Sequence, residues 1–186
     1  QQPVVCVEPL MCTSSCDDFH AEHRALSLGK LIRDDTLTPR RNTIAVGIPR
    51  PADANEPSFV RLIFYTQDNV SMGGGTTCDT TGGFQKAALS PAGCSARFGS
   101  ALLAVDLDGD DWDELLVGDP GAQRVFVFGL DSDARDVSDW DGLHPVGVLE
   151  PAGEDEAIAF GAALTAVDLN GDGRREIAVG DPEATV

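Results

Sequence analysis

The sequence predicts an all-β chain built from repeated units of four short antiparallel strands. Two observations carry that reading. Residues 98–120 (FGSALLAVDLDGDDWDELLVGDP) and residues 160–182 (FGAALTAVDLNGDGRREIAVGDP) align without a gap, and self-similarity of this quality marks a repeat architecture. After each apolar VG-x-P stretch comes a run with period-2 alternation, bounded by Gly, Pro and Asp turns and with no helical period between them. Four-stranded units repeated along a chain are the blades of a β-propeller.

Composition limits what such a chain can do. With 13 Lys and Arg against 31 Asp and Glu, the net charge of −18 argues against nucleic acid and anionic membrane surfaces as partners. No apolar run approaches the roughly 18–20 residues that a membrane-spanning helix needs, so no membrane insertion is expected. Five cysteines among 186 residues point to an oxidising, extracellular or cell-surface setting. Cys78 and Cys94 flank a Gly/Thr-rich segment and are candidates for a local disulfide. Cys12–Cys16 or Cys6–Cys16 is a second candidate bridge, and the odd number leaves one thiol over.

Taken in order, residues 1–27 read as a cysteine-containing arm. Pro3 to Val7 is a candidate strand, available for donation to an unfinished blade, and Phe19 to Leu28 has some helical character behind an Asp18 cap. Residues 28–97 form a first, degenerate blade, in which Leu28-Gly29 stands for Phe-Gly and Ile44-Ala45-Val46-Gly47-Ile48-Pro49 stands for the VGDP strand. Counted that way, its loop is one residue short and has lost its acids. Phe59 to Tyr65 and Phe84 to Leu89 complete it. Residues 98–159 form the second blade, with Arg124 to Phe128 and Pro145 to Leu149 as its last two strands. Residues 160–186 supply half of a third. Small residues at the start of each first strand (Gly99, Ser100, Ala101, Ala104; Gly161, Ala162, Ala163, Ala166) suit the crowded centre of a propeller.

The acidic loop between the first two strands carries the chemistry. Numbered from its first acid, positions 1, 3, 5, 7 and 9 are Asp106, Asp108, Asp110, Trp112 and Glu114 in one copy. In the other they are Asp168, Asn170, Asp172, Arg174 and Glu176. Oxygen-bearing residues at alternate positions converge when a loop curls, and position 7 offers only its backbone carbonyl. Hard oxygen donors without His or Cys favour Ca²⁺, at two sites. An EF-hand needs an acid at position 12 and flanking helices; Val117 and Val179 stand there, inside apolar strands, so that motif is rejected. Position 6 calls for a left-handed backbone, free for Gly173 and strained for Asp111.

These residues name a family. Phe98-Gly99, Asp106-x-Asp108-Gly-Asp110 and Leu115-Leu116-Val117-Gly118-x-Pro120, with their second copies, resemble FG-GAP repeats, as in the β-propeller of integrin α subunits. The resemblance implies structural calcium in the hairpin loops on one face and protein ligands or a partner subunit on the other. Asp119 and Asp181, Glu at position 9 and the acid-free first loop depart from the pattern, and the last leaves one blade without calcium.

The expected function is therefore a secreted interaction or adhesion module. Since propellers close with about four to eight blades, the blades in this chain make an incomplete ring. Three explanations stand: a longer protein, self-association that completes the ring, or donation of the N-terminal strand. The alternative is a non-catalytic or substrate-binding part of a larger secreted hydrolase or lyase. No enzyme is expected in this segment: His20, His23 and His144 sit in no Gly-x-Ser-x-Gly or paired His-Glu motif, and His144 reads as a surface residue. Cys12, Cys16, His20 and His23 are soft or borderline donors at a spacing that matches no common zinc finger; oxidation explains the cysteines more simply. Trp112 is expected to pack and Trp140 to sit at a hairpin tip.

Overall fold

Alternating apolar residues and short turns give a meander of strands. The computed structural model describes residues 25–31, 43–50, 58–66, 83–130, 143–152 and 159–182. Every regular element among them is a strand: β1 (Leu26–Gly29), β2 (Thr43–Ile48), β3 (Phe59–Thr66), β4 (Gly83–Leu89), β5 (Ala101–Val105), β6 (Glu114–Asp119), β7 (Arg124–Leu130), β8 (Leu143–Leu149), β9 (Ala163–Val167) and β10 (Glu176–Gly180). They build two four-stranded sheets, β1-β2-β3-β4 and β5-β6-β7-β8, and a two-stranded one of β9 and β10. All pairings join consecutive strands and are antiparallel. The architecture is an incomplete propeller of FG-GAP type, with no closed barrel among the described residues.

The middle sheet is apolar on both faces. On one, Leu102, Ala104, Leu115, Val117, Phe126 and Phe128 close against Ala45, Val60, Leu62 and Leu89 of the first sheet. Phe98, fully buried, stands at this junction with its ring edge-on to Phe126 at 5.5 Å and 80°, a favourable aromatic geometry. On the other face Val105, Leu116, Val125 and Val127 pack with Phe160, Leu164, Ala166, Ile177 and Val179 of the third unit. Strand alternation explains why Leu115 and Val117 serve one interface and Leu116 the other.

Between sheets, backbone meets backbone. Gly99 has φ 85 and Gly161 φ 92. A methyl group at Gly47 would overlap the Gly99 carbonyl oxygen, and one at Gly118 would overlap that of Gly161. The small residues of each first strand therefore serve the contact between neighbouring sheets. Asp119 and Asp181, the departures from the family pattern, hold the approach to each joint. Asp119, fully buried, accepts the Ser95 N–H at 2.6 Å and the Ser95 hydroxyl. Asp181 accepts the Ala159 N–H at 2.9 Å.

The first sheet corrects three expectations. Leu26 to Leu28 are strand, not the end of a helix: Ser27 and Gly29 face the middle sheet while Leu26 and Leu28 are exposed, and this alternation is β periodicity. Gly29 pairs with Thr43 as Val105 pairs with Glu114. It therefore ends its strand beside the loop and is no counterpart of Gly99, which precedes β5. The connection at residues 30–42 is consequently longer than that at 106–113, not one residue shorter. His144 is half-buried in β8, opposite Gly129. The arm at residues 1–24, with its cysteines, its histidines and the Pro3 to Val7 strand, lies outside the described residues, as do Cys78 and Trp140. Cys94 is a free thiol among the described residues; its side chain packs against the first core, with Sγ 3.8 Å from Ser90 Oγ.

Candidate metal centre

Strands β5 and β6 are held in register from Ala101↔Gly118 to Val105↔Glu114, and the acidic loop must reverse the chain in residues 106–113. Two left-handed residues make the reversal possible: Gly109 at φ 84 and Asp111 at φ 72. The second copy repeats them as Gly171 at φ 78 and Gly173 at φ 88. The strain foreseen for Asp111 is thus present, and aspartate is among the residues that tolerate that region best. Position 4, Gly109 and Gly171, needs glycine for the same reason.

The side chains then fold back on their own backbone. Asp106 accepts the N–H of Gly109 at 2.7 Å and of Asp111 at 3.1 Å. Asp108 accepts from Asp110 at 3.1 Å and Asp110 from Trp112 at 2.8 Å. Glu114 reaches across the loop to the Leu107 N–H at 2.8 Å. In each of Asp108, Asp110 and Glu114 these bonds engage one carboxylate oxygen, and the second takes no part in them. Oxygens of Asp106, Asp108 and Glu114 converge, all within 4.8 Å of one another. Asp110 lies outside that trio yet close enough to act on it. Trp112 contributes no side-chain donor; its indole is buried, 4% exposed, as expected of a packing residue.

The second loop reproduces the scaffold. Asp168 accepts from Gly171 at 2.6 Å and Gly173 at 2.9 Å, Asp172 from Arg174 at 2.8 Å, and Glu176 from Leu169 at 2.8 Å. One difference matters. Asn170 directs its amide nitrogen to Asp172 and Glu176, each at 3.1 Å, while its oxygen accepts the Asp172 N–H at 2.8 Å. Positions 3, 5 and 9 therefore converge here too, but with an N–H donor at position 3.

Electrostatics set what the first loop favours. Burial pushes the Glu114 carboxyl above its ordinary value, the Leu107 N–H opposes that, and the charges of Asp108 and Asp110 push it up further. Clustered carboxylates of this kind are complementary to a hard divalent cation, and their all-oxygen chemistry fits Ca²⁺ or Mg²⁺ better than a soft metal.

The FG-GAP repeat family matches residues 98–128 and 160–185. The chain carries FG-GAP repeats. The first match runs from the Phe98-Gly99 pair through the acidic loop to Phe128 in β7; the second covers the third unit from Phe160 onward. These FG-GAP repeats indicate an integrin-like propeller module, in keeping with the four-stranded sheets and with strands as the regular elements among the described residues.

Proposed function

We propose that this chain is an extracellular protein-interaction module of adhesive or scaffolding type, stiffened by calcium in its two acidic hairpin loops. The convergence of Asp106, Asp108 and Glu114 within 4.8 Å, on a backbone that the second loop repeats bond for bond at positions 1, 5 and 9, carries the reading. Asp106, Asp108, Asp110 and Glu114 would hold one ion with the Trp112 carbonyl. Asp168, Asn170, Asp172 and Glu176 would hold the other with the Arg174 carbonyl. The cation would neutralise acids that repel one another and fix the β5–β6 and β9–β10 hairpins. FG-GAP repeats are typical of extracellular proteins, and no helix among the described residues is long and apolar enough to cross a membrane.

Calcium at about 100 times its dissociation constant stabilises a folded state by roughly 2.7 kcal/mol per site. Thermal unfolding with calcium and with excess EDTA should therefore differ by several degrees. Superimposable melting curves, with no binding heat on titration, would remove the calcium reading.

The binding surface follows from the repeats. Ala101 and Val105 are buried under the third unit, whereas their counterparts Ala163 and Val167 are exposed, Val167 to 43%. At the opposite end Leu26 and Leu28 are 65% and 59% exposed. These two faces would receive further blades, from a longer chain or from a second copy completing the ring.

A further inference from the structure

We propose that Lys30 and Asp113 form a clamp through which cation binding at residues 106–114 and docking of the first sheet on the second reinforce one another; the proposal rests on the calcium reading above and adds its regulation. The clamp is reciprocal. The Lys30 N–H donates to Asp113 Oδ2 at 2.7 Å, the Asp113 N–H donates to the Lys30 carbonyl at 3.2 Å, and Lys30 Nζ donates to the Asp111 carbonyl at 3.3 Å. Asp113 occupies position 8, between Trp112 and Glu114, and has no part in the expected ligand set. Its backbone nevertheless runs between two positions that a bound cation would fix.

The other half of the clamp replaces an acid. Because Gly29 holds the place of Val105 in the strand pairing, Lys30 stands where the second sheet has Asp106. The first sheet has a lysine there, and that lysine is bonded to its neighbour's loop. Room for the contact is built in. A methyl group at Gly29 would overlap the Ala104 side chain and stand 3.0 Å from Asp113 Oδ2. Ser27 Oγ accepts the Ala104 N–H at 3.0 Å on the same strand face. The third unit has Arg175 at position 8 and offers no carboxylate there, so the device is not repeated in that unit.

Holding the loop backbone on both sides of Asp113 presents its carboxylate to Lys30. Docking β1 likewise restrains the loop before a cation arrives. Linkage requires the two effects to be equal in size.

The test uses the full chain and its Asp113→Ala and Asp113→Asn variants. Terbium luminescence sensitised by Trp112, with calcium competition, reads the loop 106–114; calorimetry reads both sites; hydrogen exchange follows residues 26–31. Asp113→Ala should weaken calcium at this loop about five- to tenfold and leave the loop at 168–176 unchanged. It should also abolish a calcium-induced protection of residues 26–31 that exceeds any change in β8. Asp113→Asn, which keeps an acceptor for the Lys30 N–H, should retain most of both effects. Wild-type affinity and protection in Asp113→Ala would overturn the clamp. Should that variant not fold, the wild type decides: residues 26–31 unprotected while calcium is bound overturns the clamp equally. A wild type that binds no calcium at all brings down the calcium reading itself, a different result.

Discussion

At the residue scale, Gly118 and Gly161 show why the repeat keeps its glycines. The first has no room for a side chain, and the second needs a left-handed backbone to bring its carbonyl into that space. Gly118→Ala should accordingly destabilise the chain by about 1–3 kcal/mol, as overpacking does. Urea unfolding measures it, and a loss no larger than that of an exposed strand substitution would contradict the geometry. Motif residues were legible in the sequence because the two copies align: Phe98, Gly99, the acids at positions 1, 5 and 9 and Gly118 all appear twice. Gly29 was misread for the opposite reason. A glycine after a leucine resembles Phe-Gly on paper, yet its small size answers to Ala104 and Asp113 across the sheet junction. Lys30 and Asp113 were illegible, since position 8 ligates nothing and its partner lies 83 residues away.

At the element scale, the two hairpins share a backbone and differ in the donor at position 3. Asn170 has a single side-chain oxygen, which a cation would have to share with the Asp172 N–H, and that oxygen carries no full charge. Asp108 accepts the equivalent N–H with one oxygen and has another to spare. The loop at 106–114 should thus bind calcium more tightly, and Asn170→Asp should raise affinity at the second loop by about tenfold, the effect of a charged contact worth roughly 1.4 kcal/mol. Calorimetry resolving two sites checks this; an unchanged or weakened second site would refute it. Glu114 adds a pH signature. Its carboxyl sits above the ordinary value in the folded state, so the calcium-free fold holds a proton that the unfolded chain has already released. This contribution to stability is fully present below the usual glutamate value and is lost as pH rises through the raised one. Melting temperatures in EDTA should therefore fall over that interval. Saturating calcium should reverse the trend, because protons then compete with the metal. A calcium-free melting temperature rising throughout the interval would argue against a Glu114 carboxyl raised by burial and by its acidic neighbours.

At the scale of the whole molecule, the sequence announced blades of four strands and the structure delivers them, because alternation and turn residues are local properties. Which faces meet is a non-local matter. It emerges only from the packing of Phe98, Phe126 and Phe128 on one side of the middle sheet and Val105, Leu116 and Val127 on the other. The exposed ends follow from that arrangement. If copies of this chain complete a ring, light scattering of the 186-residue chain should give a mass above the monomer that rises with concentration. Val167→Lys, which charges an end face while sparing both cores, should return it to the monomer. A monomer at every concentration would rule out self-association through those faces.

The glycine joint has a consequence for how such a molecule arises. The middle repeat bears both halves of the joint, the left-handed Gly99 at its front and the side-chain-free Gly118 at its back, and its neighbours supply the matching Gly47 and Gly161. A duplicated gene segment would therefore encode a unit already complementary to its parent, needing no compensating change to dock. Copies can afterwards diverge in their loops, as the lysine-bearing first unit has done, while the seam between them is inherited intact.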